Sequence, residues 1–519
     1  MTSSRELAPA APDMKLFWTC FIALIATAFG FIIRAFSIGD WGREFGLSAM
    51  QQGEIFGVGL WPFAISIVMF SLIIDRIGYK TALAFAFVCH MLSGVLTCLA
   101  TGYWSLWVAT FIFALGCGTV EAVVNPVVAT MFNKDKAKWL NILHAGWPGG
   151  LVLAGTIAML LGDVSWRVKV GLIFIPAVAY GVMMIPRKFP VNERVGAGVS
   201  YMDMLKETGA LGILIASYLV FSEIGRVFGL PSGLVYGLIA VTAIGYGIFV
   251  KALGRPLFII LLLVMIPLAT TELGTDSWVT ALMTPELGKH AGWLLVYTST
   301  IMTVLRFSAG PIVHKLSPVG LLALCACLAA LGLYSLSKAT GVGIILAATL
   351  YSLGKTFFWP TTLGLVAERF PRGGALTLNT MAGVGMLGVG VVGSVFLGAL
   401  QDHSIDQGLH AYDQKNGTAI YATYMTEEKT SIFGEYMAMD QSKLAGAPAG
   451  DKAAIDAATS ASKKEAMSTT AMLPLLMLAA YLGMLIWFKS QGGYKPVDLG
   501  AEAKVSPTAK APPVYSEAG

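Results

Sequence analysis

WPFAISIVMFSLIIDRIGYKTALAFAFVCHMLSGVLTCLA, residues 61–100, holds two long apolar runs joined by one short charged turn, DRIGYK. A helix needs about 20 mostly apolar residues to cross the hydrocarbon core of a bilayer. Both runs meet that length once the first is followed back to residue 52. The same pattern continues in both directions. It predicts spans at 16–38, 52–74, 81–101, 104–131, 140–161 and 169–187, then a pair at 210–230 and 232–251. A second group of six follows at 257–283, 291–313, 319–338, 342–367, 375–400 and 470–488. Glu223 and Arg226 interrupt the 210–230 run; three residues apart, they share a helical face and can pair.

Composition agrees. The chain of 519 residues is 56% hydrophobic and 13% charged, about half the ~25% charge of a soluble domain. Lipid must therefore solvate most of it. The 58 glycines suit close helix approach in a membrane. Cys20, Cys89, Cys98, Cys117, Cys325 and Cys327 all fall in apolar runs, which gives neither a disulfide framework nor a metal site. No metal, cofactor or nucleic acid is expected. The first run is too long for a signal-peptide core and lacks an obvious cleavage site, so it reads as a retained span.

Basic residues orient the spans. Arg76, Lys80, Lys134, Lys136, Lys138, Arg187, Lys188, Arg194, Lys206, Lys251, Arg255, Lys315, Arg369 and Arg372 fall in one set of short loops. Only Arg43, Arg167, Lys169, Lys289 and Lys338 fall in the other. The positive-inside rule then places both termini in the cytoplasm of an inner-membrane protein. Residues 401–469 form a long outer loop whose DKAAIDAATSASKKEAM suggests helical pieces. The tail rich in Pro, Ala and Lys at 489–519 is expected to be disordered.

An internal repeat sets VEAVVNPVVATMF and WLNILHAGWPGG against GKTFFWPTTLGLVAERF and TLNTMAGVGMLG. Pro126 then superposes on Pro360, and Asn141 on Asn379. Glu121 and Lys355 each stand five residues before their proline, an acid in one half and a base in the other. A looser match of FIIRAFSIGDW with ATTELGTDSW brings Arg34 near Glu272.

SLIIDRIGYK resembles the loop signature of the major facilitator superfamily, with Ser71 in place of the usual opening glycine. The resemblance implies an all-α membrane protein with the major facilitator fold: two pseudo-symmetric six-helix bundles, here with an inserted helix pair, about 14 spans in all. The domains are then a tail at 1–15, a first bundle at 16–187, linker and hairpin at 188–256, a second bundle at 257–488 and the tail. It also implies gating by Asp75 and Arg76. VEAVVNP followed by LNILHAGWPGG is similar to the fucose:proton symporter branch, which implies a sugar-like substrate and Glu121 as the proton-coupling carboxylate. Arg34 and Ala35 stand where that branch carries an acid in its first helix.

Ionisable residues inside a bilayer cost at least about 2.5–3.5 kcal/mol each, so they are read first as functional. Arg34, Glu121, Glu272 and Lys355 are the candidates for substrate binding or coupling, and interhelical ion pairs are the packing alternative. Asn125 beside Pro126 marks a break near the cavity. His144 and Trp147 share a face of the fifth span and suit a sugar ring. Trp359, Asn379 and Trp61 are weaker candidates of the same kind, Asn141 reads as structural, and Arg306 reads as a snorkelling side chain. The glycine run AGVGMLGVGVVG is a packing surface, and no nucleotide-binding or hydrolase motif appears. The chain therefore reads as a monomeric transporter and not an enzyme, moving a small polar solute, a sugar first, with protons. An anion carrier, a drug-type exporter and a non-transporting receptor or sensor are the alternatives.

Overall fold

The computed structural model describes residues 12–275, 291–431 and 434–499. Its long helices are α1 (Met14–Phe45), α2 (Gln51–Ile77), α3 (Tyr79–Cys98), α4 (Tyr103–Met131), α5 (Lys136–Leu160), α6 (Trp166–Met184), α7 (Tyr201–Phe228), α8 (Ser232–Val250), α9 (Pro256–Gly274), α10 (Ala291–Phe307), α11 (Pro318–Lys338), α12 (Val342–Arg369), α13 (Pro371–Asn416) and α14 (Ala449–Ser490). Among the described residues, thirteen of these, all but α10, are long and apolar enough to cross a membrane. The protein is multi-pass and all-α in its membrane part. The part of the 257–283 span beyond residue 275, and Lys289, lie outside the described residues.

The chain divides into two units. One comprises residues 1–208, 363–380 and 495–519, and the other residues 209–362 and 381–494. In the first, the Asp13 carboxylate caps α1 by accepting from the amides of Lys15 and Leu16 at 2.9 and 3.2 Å. Helix α2 breaks between Gly57 and Trp61. The 363–380 segment packs in this unit, where the amide of Ala137 donates to Glu368 Oε1 at 3.3 Å.

The tail expected to be disordered from 489 is ordered chain as far as 499. The Val497 amide donates to the Glu368 carbonyl at 2.8 Å, Arg369 Nη1 donates to the Lys495 carbonyl at 2.5 Å, and Leu499 is buried. Composition suggested disorder, but backbone pairing against the end of α12 supplies the partners this short segment needs. Residues 500–519 lie outside the described residues.

Helix α7 begins well before residue 210, in the first unit, and turns at Gly209, where the second unit starts; the φ of +62° there suits glycine. There the amides of Ala210 and Leu211 donate to the carbonyls of Ala252 and Leu253 at 2.9 and 3.1 Å. A Cβ on Gly209 would stand 2.0 Å from the Gly254 nitrogen, so the two ends of the inserted hairpin cross where no side chain fits. The expected pair in α7 forms: Arg226 Nε and Nη2 donate to Glu223 at 2.9 and 2.6 Å.

The 401–469 stretch is helical as expected, because α13 and α14 run on into it. It also contains an antiparallel hairpin, β1 (Met425–Ser431) and β2 (Gly434–Met439), that Ala/Lys/Glu content gave no reason to expect. Ile405, Leu409, Ile420, Tyr424, Met425 and Ile455 form its own small core. Asp440 caps the short helix Gln441–Ala445, accepting from the amides of Ser442 and Lys443 at 2.9 and 3.2 Å. Hydrogen bonding from the Ser442 hydroxyl, then from the Lys443 amide, holds this carboxyl below its ordinary range. A depressed carboxyl stabilises the fold above its unfolded value near ~4 and loses that contribution as pH falls through the lower folded value. Amide exchange at Ser442 and Lys443 is therefore expected to quicken several-fold in Asp440→Ala, and in the parent protein only in strong acid.

Candidate functional site

Arg34 lies in the buried middle of α1 at 6% exposure. Its Nη2 donates to the Ser93 hydroxyl at 2.6 Å and the Thr97 hydroxyl at 3.2 Å, both on α3, and its Nη1 to the Gly30 carbonyl at 3.2 Å. The guanidinium sits 4.0 Å from the ring centroid of Phe113 on α4. Among the described residues no carboxylate pairs with it, and its Nε–H has no partner. The side chain lines a cavity with Phe31, Trp41, Phe56, Thr110 and Phe113. A buried cation held only by neutral groups is an arrangement that accepts an anion.

Glu121 belongs to a different chain of contacts. Asn125 Nδ2, one turn along α4, donates to Glu121 Oε2 at 2.7 Å, and Asn125 Oδ1 lies 2.9 Å from His144 Nε2. All three are buried. For the amide oxygen to accept, His144 must carry its proton on Nε2. The sequence reading brought these residues to one region, and the structure links them in line; Glu121 and Arg34 do not pair. Trp147 instead turns toward α1, its ring 5.5 Å from that of Phe31, and Trp61 packs beside Phe111 at 5.6 Å.

Pro126 removes the N–H that would bond the Ala122 carbonyl. Asn379 Nδ2 fills the vacancy, donating to that oxygen at 3.1 Å. Helix α4 nevertheless runs unbroken through Pro126, which corrects the expected break: Asn379 supplies the missing donor, a structural task not visible from its own stretch of sequence. Asn141 donates to the Ala137 carbonyl of its own helix at 2.8 Å, in keeping with a structural part.

In the second unit the repeat answers with the same device. Helix α12 is interrupted after Lys355 and resumes at Phe358. Arg306 Nε donates to the Thr356 carbonyl, which Pro360 leaves without its usual donor, at 2.7 Å, and Arg306 Nη2 donates to Glu272 Oε1 at 2.7 Å. Glu272 Oε2 accepts the Trp359 amide at 3.0 Å, so the ion pair closes both free ends of the break. Arg306 is 1% exposed, which corrects the snorkelling expectation: it points inward to these partners. Lys355 is fully buried, 5.1 Å from the ring centroid of Tyr351 and within Coulombic reach of Glu272. The Trp359 indole packs over Gly385, where a Cβ would come within 2.8 Å of it, a packing contact.

The two gating candidates of the charged turn have separate neighbours. Asp75 Oδ2 accepts Arg194 Nη2 at 2.5 Å, both largely buried, while Arg76 lies 5.6 Å from the Tyr201 ring. Lys136 donates to Glu193 at 2.5 Å and to the Ala367 carbonyl at 3.2 Å, and Asn192 Nδ2 donates to the Tyr79 hydroxyl at 2.8 Å. Three successive linker residues, Asn192 to Arg194, thus fasten the ends of α3, α5 and α2.

Sequence reasoning passed over His90, fully buried in α3, with the Tyr180 hydroxyl 3.1 Å from Nδ1 and Cys117 Sγ 3.6 Å from Nε2. The signal was present, since it is an ionisable group inside a span. Trp41 and Thr110, which line the Arg34 cavity, gave no such signal.

A family model described as Major Facilitator Superfamily matches residues 19–394. The hexuronate transporter of Bacillus subtilis (strain 168) is 30% identical over 139 residues, 26% of this chain and 33% of the relative. The cis,cis-muconate transport protein of Acinetobacter baylyi (strain ATCC 33305 / BD413 / ADP1) is 25% identical over 197 residues, 37% and 46% respectively. The chain spans less than half the length of either relative. Among solved structures, the proton:xylose symporter XylE bound to 6-bromo-6-deoxy-D-glucose aligns at a TM-score of 0.57 and 15% identity, over 77% of this chain and 90% of that one, a likeness of fold.

Proposed function

This chain belongs to the major facilitator superfamily, and from that premise we propose that it is a secondary transporter of small organic carboxylates. One observation carries the reading: Arg34 is a buried guanidinium, without a carboxylate partner among the described residues, at the edge of a cavity. A carboxylate substrate supplies the missing countercharge and an acceptor for the Nε–H. The names of the two relatives support it, since hexuronate and cis,cis-muconate are both carboxylates. A sugar is the second reading, favoured by the neutral, hydrogen-bonding Asn125–His144 pair.

Glu121 is the proposed proton site. It has hydrogen-bonding neighbours and no pairing cation among the described residues, so its charge is free to change with conformation. Asp75 with Arg194 and Lys136 with Glu193 are proposed as the cytoplasmic latch, released and remade as access alternates. The basic loops are the support for that face being cytoplasmic, with both termini on the same side of the inner membrane.

The test is uptake of labelled glucuronate, benzoate and xylose into proteoliposomes under an imposed pH gradient. The parent protein is expected to accumulate a carboxylate above its outside concentration. Glu121→Gln is expected to equilibrate the same solute without accumulating it. Accumulation of xylose alone sinks the carboxylate reading, and undiminished accumulation in the variant removes Glu121 from the proton path.

A further inference from the structure

Two more residues that line the cavity beside Arg34 carry buried, unsatisfied donors. The Trp41 indole N–H and the Thr110 hydroxyl are buried, at 0% and 3% exposure, and neither has a hydrogen-bond partner among the described residues. Both line the same cavity as Arg34. Ser37, on α1 between Arg34 and Trp41, is buried with its hydroxyl also unpartnered among the described residues. Hydroxyls inside spans usually satisfy themselves on the carbonyl one turn back. Thr27, Thr97 and Thr119 do so here, bonding to the carbonyls of Ala23, Ser93 and Leu115. Thr110 and Ser37 do not. Each unmade bond costs about 1–3 kcal/mol, so a group of them on one cavity is best explained by something that fills them.

Spacing gives that occupant its shape. Arg34 and Trp41 are seven residues apart, two turns along one face of α1, a rise of ~10 Å. Phe31, Phe56 and Phe113 supply apolar wall to the same cavity. In the state described the cavity is nearly closed, about 20 Å³, room for one water. We propose that, opened at the break in α2, it becomes a two-ended substrate site. Arg34 takes one carboxylate, and Trp41 with Thr110 takes an oxygen of a second carboxylate at the far end of the same molecule, across an apolar middle. Trp41 donates only, so that end selects acceptor oxygens. The substrate class is then the dicarboxylates with an unsaturated or aromatic spacer. The break in α2 stands beside the cavity, Gly59 being one of its lining residues, and gives this wall a joint at which to move aside for a ligand.

The inference rests on the carboxylate reading above, and the experiment separates them. Benzoate and terephthalate share a ring and one carboxylate and differ in the second. Uptake of each is measured for the parent protein, Trp41→Phe and Thr110→Val, with thermal unfolding in detergent recorded for all three. The expected result is that the parent protein prefers terephthalate, and that the terephthalate-to-benzoate ratio of kcat/KM falls about tenfold in each variant, as expected for one lost hydrogen bond to a charged group. Thr110→Val keeps the side-chain shape, so it decides the matter should Trp41→Phe fold poorly. An unchanged ratio in folded variants, or a parent protein that moves benzoate and rejects terephthalate, overturns the two-ended site and leaves the carboxylate reading standing. A parent protein that moves neither acid but moves xylose overturns both.

Discussion

Arg34→Gln is expected to lower carboxylate uptake roughly a hundredfold while leaving the protein at least as stable as before. The two halves of that result follow from one geometry. A charge-assisted hydrogen bond to a carboxylate is worth up to ~3 kcal/mol, and ~1.4 kcal/mol is a factor of ten in affinity. Without substrate, however, Arg34 holds its charge away from water with only hydroxyls, a carbonyl and the Phe113 ring as neighbours. Burying a charge without a countercharge is unfavourable, so its removal relieves a cost. Glutamine can still donate to Ser93. Arg34→Lys keeps the charge but loses the fork, and is expected to retain about a tenth of the uptake. Uptake kinetics and thermal unfolding in detergent check both halves. A strongly destabilised Arg34→Gln would mean that the arginine serves packing, and the carboxylate reading would lose its main support.

The membrane architecture was legible in the sequence because it follows from single-segment properties. Length, apolarity and loop charge each belong to one stretch of chain, and the fourteen expected runs correspond to α1 through α14 as far as residues are described. The Glu223–Arg226 pair was legible for the same reason, since its partners share one helical turn. What failed to show were partners set by distant segments. Asp75 stands out in its own loop as a gating candidate, but its partner, Arg194, is 119 positions away. Arg306 was read from its place near a helix end, yet the break in α12 draws it inward. Asn379 was matched to Asn141 by alignment, but the carbonyl it satisfies is exposed by Pro126, on another helix. Trp41 and Thr110 are ordinary span residues until their missing partners are counted. Chemical type told which residues were costly to bury, and only the fold told which costs are met.

Glu272 is where that distinction has its largest consequence for stability. As a coupling acid, Glu272 would tolerate Glu272→Gln, folding normally and losing only accumulation. The clamp across α12 predicts otherwise. Glutamine leaves the Arg306 guanidinium, 1% exposed, without its countercharge, and weakens the acceptor for the Trp359 amide. Removing one partner of a buried ion pair costs about 3–5 kcal/mol, because the other charge stays buried. The unfolding free energy of Glu272→Gln is expected to fall by about that much. Arg306→Leu alone should cost as much, since it strands both the carboxylate and the Thr356 carbonyl. The double variant Glu272→Gln with Arg306→Leu removes both charges but still leaves the Thr356 carbonyl of the broken helix without its donor. Its loss should therefore be well short of the two single losses added, yet not zero. Strict additivity would show that the two side chains do not act as a pair. A stable Glu272→Gln that equilibrates substrate without accumulating it would return Glu272 to the coupling machinery, with Lys355 as the charge it answers to.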